Sequence, residues 1–231
     1  MKKLFTALVA LVLSLSVSAQ FYIYCSNGDV LEVDSISLVK PDNQINNHEY
    51  VDLGLPSGLK WATCNVGANT PEEYGYYFAW GEVKPKTTYN WDTYKYYDGS
   101  NLTKYTGTDS KTVLDPEDDA ATANWGGAWR MPTKEEQDEL RNNCTWTWTT
   151  QNGVNGYKVT GPNGNSIFLP AAGFMYEGTL GDAGSGGIYW SSSLYIGDPS
   201  NAYGVVYFNS DNVDSDYSPR YFGQSVRPVC P

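Results

Sequence analysis

Between Leu194 and Tyr221 the chain crowds together side chains suited to noncovalent recognition. They are Tyr195, Asp198, Asn201, Tyr203, Tyr207, Asn209, Asp211, Asn212, Asp214, Asp216 and Tyr217. Tyrosine offers a large amphipathic contact at small entropic cost, and Asn, Ser and Gly add adaptable hydrogen bonds. These residues are the candidate ligand-binding set. A solvated loop between two strands would have the same composition, and on sequence both readings stand.

Sets able to do covalent chemistry are scarce. His48 is the only histidine, and it falls in a linker, so no Ser/His/Asp arrangement can be assembled around it. No C-x-x-C spacing exists, which argues against a zinc site. Carboxylates are plentiful, so a glycosidase-like acid/base pair acting on an extracellular polysaccharide is the surviving enzymatic reading, with no catalytic residue assigned. Asp115, Glu117, Asp118 and Asp119 invite Ca²⁺, because hard cations want several oxygens. The same residues read better as a helix start, with Asp115 as N-cap, Pro116 at N1 and acids in the first turn. No other cofactor is implied. The Gly-rich run Leu180–Gly187 lacks the lysine and the strand-to-helix context of a phosphate loop and reads as a flexible segment.

The candidate set needs a scaffold, and the flanks of the stretch supply part of it. Tyr189-Trp190-Ser191 and Ser225-Val226-Arg227-Pro228-Val229 read as buried strands. Upstream, residues 144–170 form a meander, with turns at Asn152-Gly153, Asn155-Gly156 and Gly161–Gly164. Thr133-Lys134-Glu135-Glu136 is a capping box opening a helix that runs to about Asn143 with Leu140 facing in. Arg130 is assigned a structural role against Asp118 and Asp119. Phe78 and Trp80 read as core, and Tyr89, Trp91, Tyr94, Tyr96 and Tyr97 as an irregular loop pinned by its own rings. Residues 49–55 and 59–66 read as a β-hairpin turning at Pro56-Ser57-Gly58.

The N-terminus is of a different character. Lys2 and Lys3, the apolar run Leu4–Leu15 and the small residues Val17-Ser18-Ala19 form a signal peptide over residues 1–19. The run is too short for a membrane anchor. Residues 20–45 read as a hairpin leader, with strands at 21–24, 30–33 and 35–39 and a Pro-containing linker. The main domain spans residues 46–231. Four cysteines in an exported chain fit full pairing. Cys64–Cys144 is the favoured pair, with Cys25–Cys230 beside it because chain termini often lie close. A net charge of −11 repels nucleic acid and anionic membranes, leaving divalent cations or neutral ligands such as glycans and protein surfaces as natural partners.

Several short motifs occur in a telling order. Trp61–Ala68 is followed by Tyr77–Glu82, Asp118–Ala121, Trp129–Thr133, Ile167–Gly173, Tyr189–Ser193 and Val226–Val229. As a set, over residues 49–229, they resemble the Fibrobacter succinogenes major paralogous domain, a family of exported proteins frequent in gut Bacteroidetes. The resemblance implies an α+β, C-type-lectin-like fold with small twisted antiparallel sheets, two short flanking helices and long irregular loops. It also implies that the last strands frame the ligand face. The calcium motifs of sugar-binding C-type lectins and the cysteines of formylglycine-generating enzymes are both missing. The expected function is an exported, non-catalytic binding module, periplasmic, surface-bound or secreted. It presents residues 194–222 to a glycan or protein ligand. A structural subunit of a surface appendage, recruiting partners by strand addition through the leader hairpin, is the alternative.

Overall fold

The computed structural model describes residues 21–24, 30–33 and 43–231, with the backbone alone for 21–24, 30–33 and 205–206. The chain divides between Pro41 and Asp42 into two units. In the first, β1 (Phe21–Tyr24) pairs antiparallel with β2 (Val30–Val33), Phe21 opposite Val33. This is the expected leader hairpin. The signal peptide, Cys25 and the strand expected at 35–39 lie outside the described residues.

The second unit is built of small antiparallel sheets with few helices, a sheet-rich α+β architecture. β3 (Gln44–Ile45), β4 (His48–Asp52) and β5 (Lys60–Ala62) are joined by the last strand, β14 (Val229–Cys230), in the order β14-β5-β4-β3. Gln44 and Ile45, expected in the linker, are therefore the edge of this sheet. From Thr63 to Asp119 the chain is irregular, and Trp91–Thr93 and Pro116–Asp118 make single 3₁₀ turns. The helix start expected at Asp115 divides in two. Pro116 opens the turn, but Asp119 is the residue whose carboxylate caps Thr122 N–H at the head of α1 (Ala120–Trp125). The helix α2 (Lys134–Asn143) begins at the predicted capping box, Thr133 with Glu136, and turns Leu140 into the core.

A meander follows, β6 (Thr145–Gln151), β7 (Val154–Thr160) and β8 (Ser166–Pro170). Asn152 and Gly153 both adopt positive φ, and Gln151 pairs with Val154 across them, the geometry of a two-residue hairpin turn. Asn155-Gly156, also expected to turn, lies inside β7 instead. Gly156 is there because a β-carbon would run into Leu169 O and the Phe168 ring of β8. The glycine-rich segment expected to be flexible supplies the second strand of another hairpin, β9 (Phe174–Tyr176) with β10 (Thr179–Gly181), and enters β11 (Gly186–Tyr189). β11 pairs with β12 (Asn201–Asn209), and β12 with β13 (Val213–Pro219).

Two apolar clusters carry this frame. One gathers Phe78, Trp80, Tyr94, Tyr105, Trp190 and Val226, and the other Leu53, Trp61, Leu140, Tyr157, Tyr189 and Phe208. Full burial of one such side chain contributes about 1.5–3 kcal/mol. Phe78 and Trp80 are core, as expected, and are tied to the later chain by Trp80 Nε1 to Ser191 O at 2.9 Å and Trp190 Nε1 to Phe78 O at 2.8 Å.

Two expectations fail on geometry. Cys64 and Cys144 are free thiols, as is Cys230. Cys144 caps the end of α2 and packs on the Leu140 cluster, while Cys64 faces a groove with His48 and Trp125, so the two are held in different neighbourhoods. Cys230, expected to pair with Cys25, packs against Ala62 and Trp129. Arg130 does not bridge to Asp118. Its guanidinium forks onto Glu136, 2.5 and 2.6 Å away, because α2 brings that carboxylate back over the Thr133 cap.

Candidate functional site

The stretch expected to be displayed proves to be two long strands. Pairing within it sorts the candidate residues, because cross-strand partners share a face and neighbours alternate. Tyr203 pairs with Tyr217 and Phe208 with Val213, on the face turned toward the Tyr157–Phe208 cluster. Gly204 pairs with Asp216 and Tyr207 with Asp214, on the other face. A β-bulge between Gly204 and Tyr207 keeps the two sets in phase. The candidate residues therefore divide between two faces.

On the first face Tyr195 reaches back from the loop before β12. Its ring stacks on Tyr217 at 4.1 Å and 4°, and meets Tyr203 edge-on at 5.4 Å. Tyr217 is 46% exposed, and Ile196 beside the cluster is 68% exposed. Lys134, at the head of α2, lies over the Tyr203 ring at 5.3 Å. The Asp138 carboxylate beside it holds its ammonium above the usual range. An open groove of about 450 Å³ runs between Val113, Lys134, Leu194, Ile196 and Tyr203.

On the second face Tyr207 and Asn209 line a cavity of about 250 Å³ together with Phe174, Asp182, Ser185 and Ile188. Asp214 and Asp216 are exposed on the same face.

The hydroxyls of Tyr195, Tyr203, Tyr207 and Tyr217 make no hydrogen bond with other described residues. The core tyrosines differ. The hydroxyls of Tyr77, Tyr89, Tyr94, Tyr96, Tyr105 and Tyr189 each donate to a carbonyl or carboxylate. Burial of Tyr189 raises its hydroxyl to about 12.

Other candidates serve local structure. Asp198 accepts from the Ser200 hydroxyl and amide and from Asn201 Nδ2, and the Ser200 contacts hold it below the usual carboxylate range. Asn209 Oδ1 accepts from Asp211 N and Asn212 N and so shapes the β12–β13 turn, with Asp211 and Asn212 at its tip. Asn201 is half-buried at the foot of the hairpin.

The acidic run is occupied from within the chain. Asp115, Glu117 and Asp118 bring their oxygens together, and Lys104 Nζ sits among them, 2.6 Å from Asp115 and Asp118 and 3.5 Å from Glu117. The cation these carboxylates hold is an ammonium.

Sequence reasoning missed Lys134, Phe174, Asp182 and Ser185 as site residues, because they come from other elements, and it left Ile196 unnamed within the 194–222 stretch. It also missed Arg220 and read Arg227 only as part of a buried strand; both are fully buried and face carbonyls rather than carboxylates. No family model, curated protein or solved structure matches this chain.

Proposed function

We propose that the chain is an exported, non-catalytic binding module of the Fibrobacter succinogenes major paralogous domain type, with a C-type-lectin-like fold, that presents its β12–β13 hairpin to a glycan or protein ligand. The observation that carries this reading is the Tyr195–Tyr203–Tyr217 cluster. Its rings are held in place by one another, partly open to solvent, with hydroxyls free for a ligand. Preorganised aromatic rings beside an exposed Ile and a lysine are the usual anchors of a recognition surface. The meeting of β14 with β5 and β4 in one sheet supports the fold assignment, since that fold brings its ends together. No helix among the described residues is long and apolar enough to cross a membrane.

The test is retention of the purified chain on glycan and protein arrays, followed by the Tyr195→Ala/Tyr217→Ala double variant. Retention without turnover, falling by about tenfold or more in the variant, is expected. Turnover of a retained glycan would overturn the non-catalytic reading. Undiminished retention by the variant would remove this face from the site.

A further inference from the structure

We infer that the cavity between β9–β10 and β11–β12 is a subsite for one unit of a neutral oligosaccharide, whose adjoining units lie along an aromatic ridge leading away from it. The site lies on the opposite face of the β11–β12–β13 sheet from the Tyr195 cluster, and it stands or falls separately.

The cavity is built by a convergence that no single segment supplies. Tyr207 and Ile188 face each other across β11 and β12, Phe174 comes from β9, and Asp182 and Ser185 come from the turn between β10 and β11. Asp182 sits at φ 56°, a left-handed conformation that Asp tolerates better than most residues. The turn is held by Ser185 N and Gly186 N donating to Asp182 O at 3.0 and 2.9 Å. Three of the lining residues keep hydrogen-bonding capacity free of other described residues. They are the Asp182 carboxylate, the Tyr207 hydroxyl and the Asn209 amide nitrogen, whose oxygen alone is engaged in the hairpin turn. An acceptor, a donor–acceptor and a donor around one small space match the hydroxyls of a pyranose, each of which both gives and takes.

Size and surroundings set the rest. At about 250 Å³ the cavity falls just below the roughly 300–1,000 Å³ of pockets that enclose a drug-sized ligand, so it takes one ring and the remainder must lie outside. Outside it are rings. Phe174, in the cavity wall, stacks on Phe222 at 5.4 Å. Phe222 touches Tyr176 at 5.3 Å and Tyr221 at 5.0 Å, and Tyr221 touches Trp91 at 4.9 Å. Tyr176 is exposed, and the other four are partly open to solvent. Such a run offers flat apolar surface to the CH faces of successive sugars. The carboxylates of Asp182, Asp214 and Asp216 near or on this face, within a chain of net charge −11, repel uronic or sulfated polymers. A cationic peptide would favour a site walled by carboxylates, whereas only Asp182 among the lining residues is charged.

The experiment is calorimetric titration of the full chain with neutral hexose oligosaccharides of increasing length. An oligogalacturonate and a lysine-rich peptide serve as alternative probes. Affinity that grows with chain length is expected, with no binding of the acidic polymer. Tyr207→Ala should weaken every neutral oligosaccharide by about tenfold. Tyr176→Ala should weaken only the longer ones. Both mutated rings are exposed, and matching circular dichroism and melting curves will confirm folding. Absence of binding to any neutral oligosaccharide, preference for the lysine-rich peptide, or wild-type affinity in Tyr207→Ala would each overturn the assignment.

Discussion

Asp118 shows how far one buried carboxylate can organise an irregular region. It is almost fully enclosed, and it accepts from Lys95 Nζ at 2.8 Å, Lys104 Nζ at 2.6 Å, Tyr105 Oη at 2.8 Å and Tyr96 Oη. Burial alone would raise its pKa. The Lys104, Lys95, Tyr96 and Tyr105 hydrogen bonds outweigh burial and hold it well below the usual carboxylate range. Asp118→Asn should therefore destabilise the fold by about 2–4 kcal/mol at neutral pH, measured by urea unfolding. The sign with pH follows from the depressed folded-state value. The contribution is complete above the unfolded carboxyl pKa, about 3.9, and is lost as pH falls below it through the folded value. The gap between wild type and variant should accordingly close in acid, and a gap independent of pH down to the acid transition would contradict this ion network. The acids were legible in sequence as a cluster. Their partners were not, because Lys95, Lys104, Tyr96 and Tyr105 arrive from a loop with no periodicity to place it.

At the scale of elements, the strands most readable from sequence are those whose neighbours in space are also neighbours in the chain. β6 shows strict alternation, Asn152-Gly153 supplies the two positive φ values of its turn, and β7 follows in register. The second Asn-Gly pair misled because a glycine answers two demands, positive φ or close approach, and sequence does not say which. Gly156 answers the second. Gly156→Ala should cost about 1–3 kcal/mol by pushing β7 from β8, read as a lowered denaturation midpoint. Tolerance of that substitution at full stability would show that the β7–β8 approach is looser than described. The helix α2 was legible to its caps because the capping box is a local hydrogen-bond exchange. β12 and β13 were legible only as composition. Their polar alternation matches a solvated loop as well as a two-faced strand, and pairing with β11 decides between them.

For the whole molecule, two buried arginines act as ties between distant segments. Arg220 donates from Nε to Tyr94 Oη at 2.8 Å, from Nη1 to Tyr105 O and Pro199 O, and from Nη2 to Lys104 O, each at 3.1 Å. Its guanidinium lies over Trp80 at 4.9 Å. Arg227 does the same for Asn65, Ala62, Thr63 and Phe168. A planar fork with fixed donors suits this task, and a lysine point charge does not. Arg220→Lys should cost about 3–5 kcal/mol and raise hydrogen exchange first in residues 94–105, where the Lys104 and Tyr105 carbonyls and the Tyr94 hydroxyl lose their donor. Uniform exchange across the chain, or an unchanged melting temperature, would show that Arg220 is not the tie.

By itself the sequence determined the local vocabulary of this protein. That includes the leader hairpin, the α2 cap, the meander, the aromatic core at Phe78 and Trp80, and the polar stretch as the place to look. These follow from nearest-neighbour physics, namely alternation, capping and turn conformation. Only the tertiary structure decided that the polar stretch is a bulged two-stranded surface whose tyrosines point to opposite sides. It also decided that Phe174, Asp182 and Lys134 join those tyrosines, and that Cys64 and Cys144 stay apart. Such facts depend on which distant segments meet across long irregular loops, and that is settled by packing around Trp80, Trp190, Arg220 and Arg227 rather than by any local pattern.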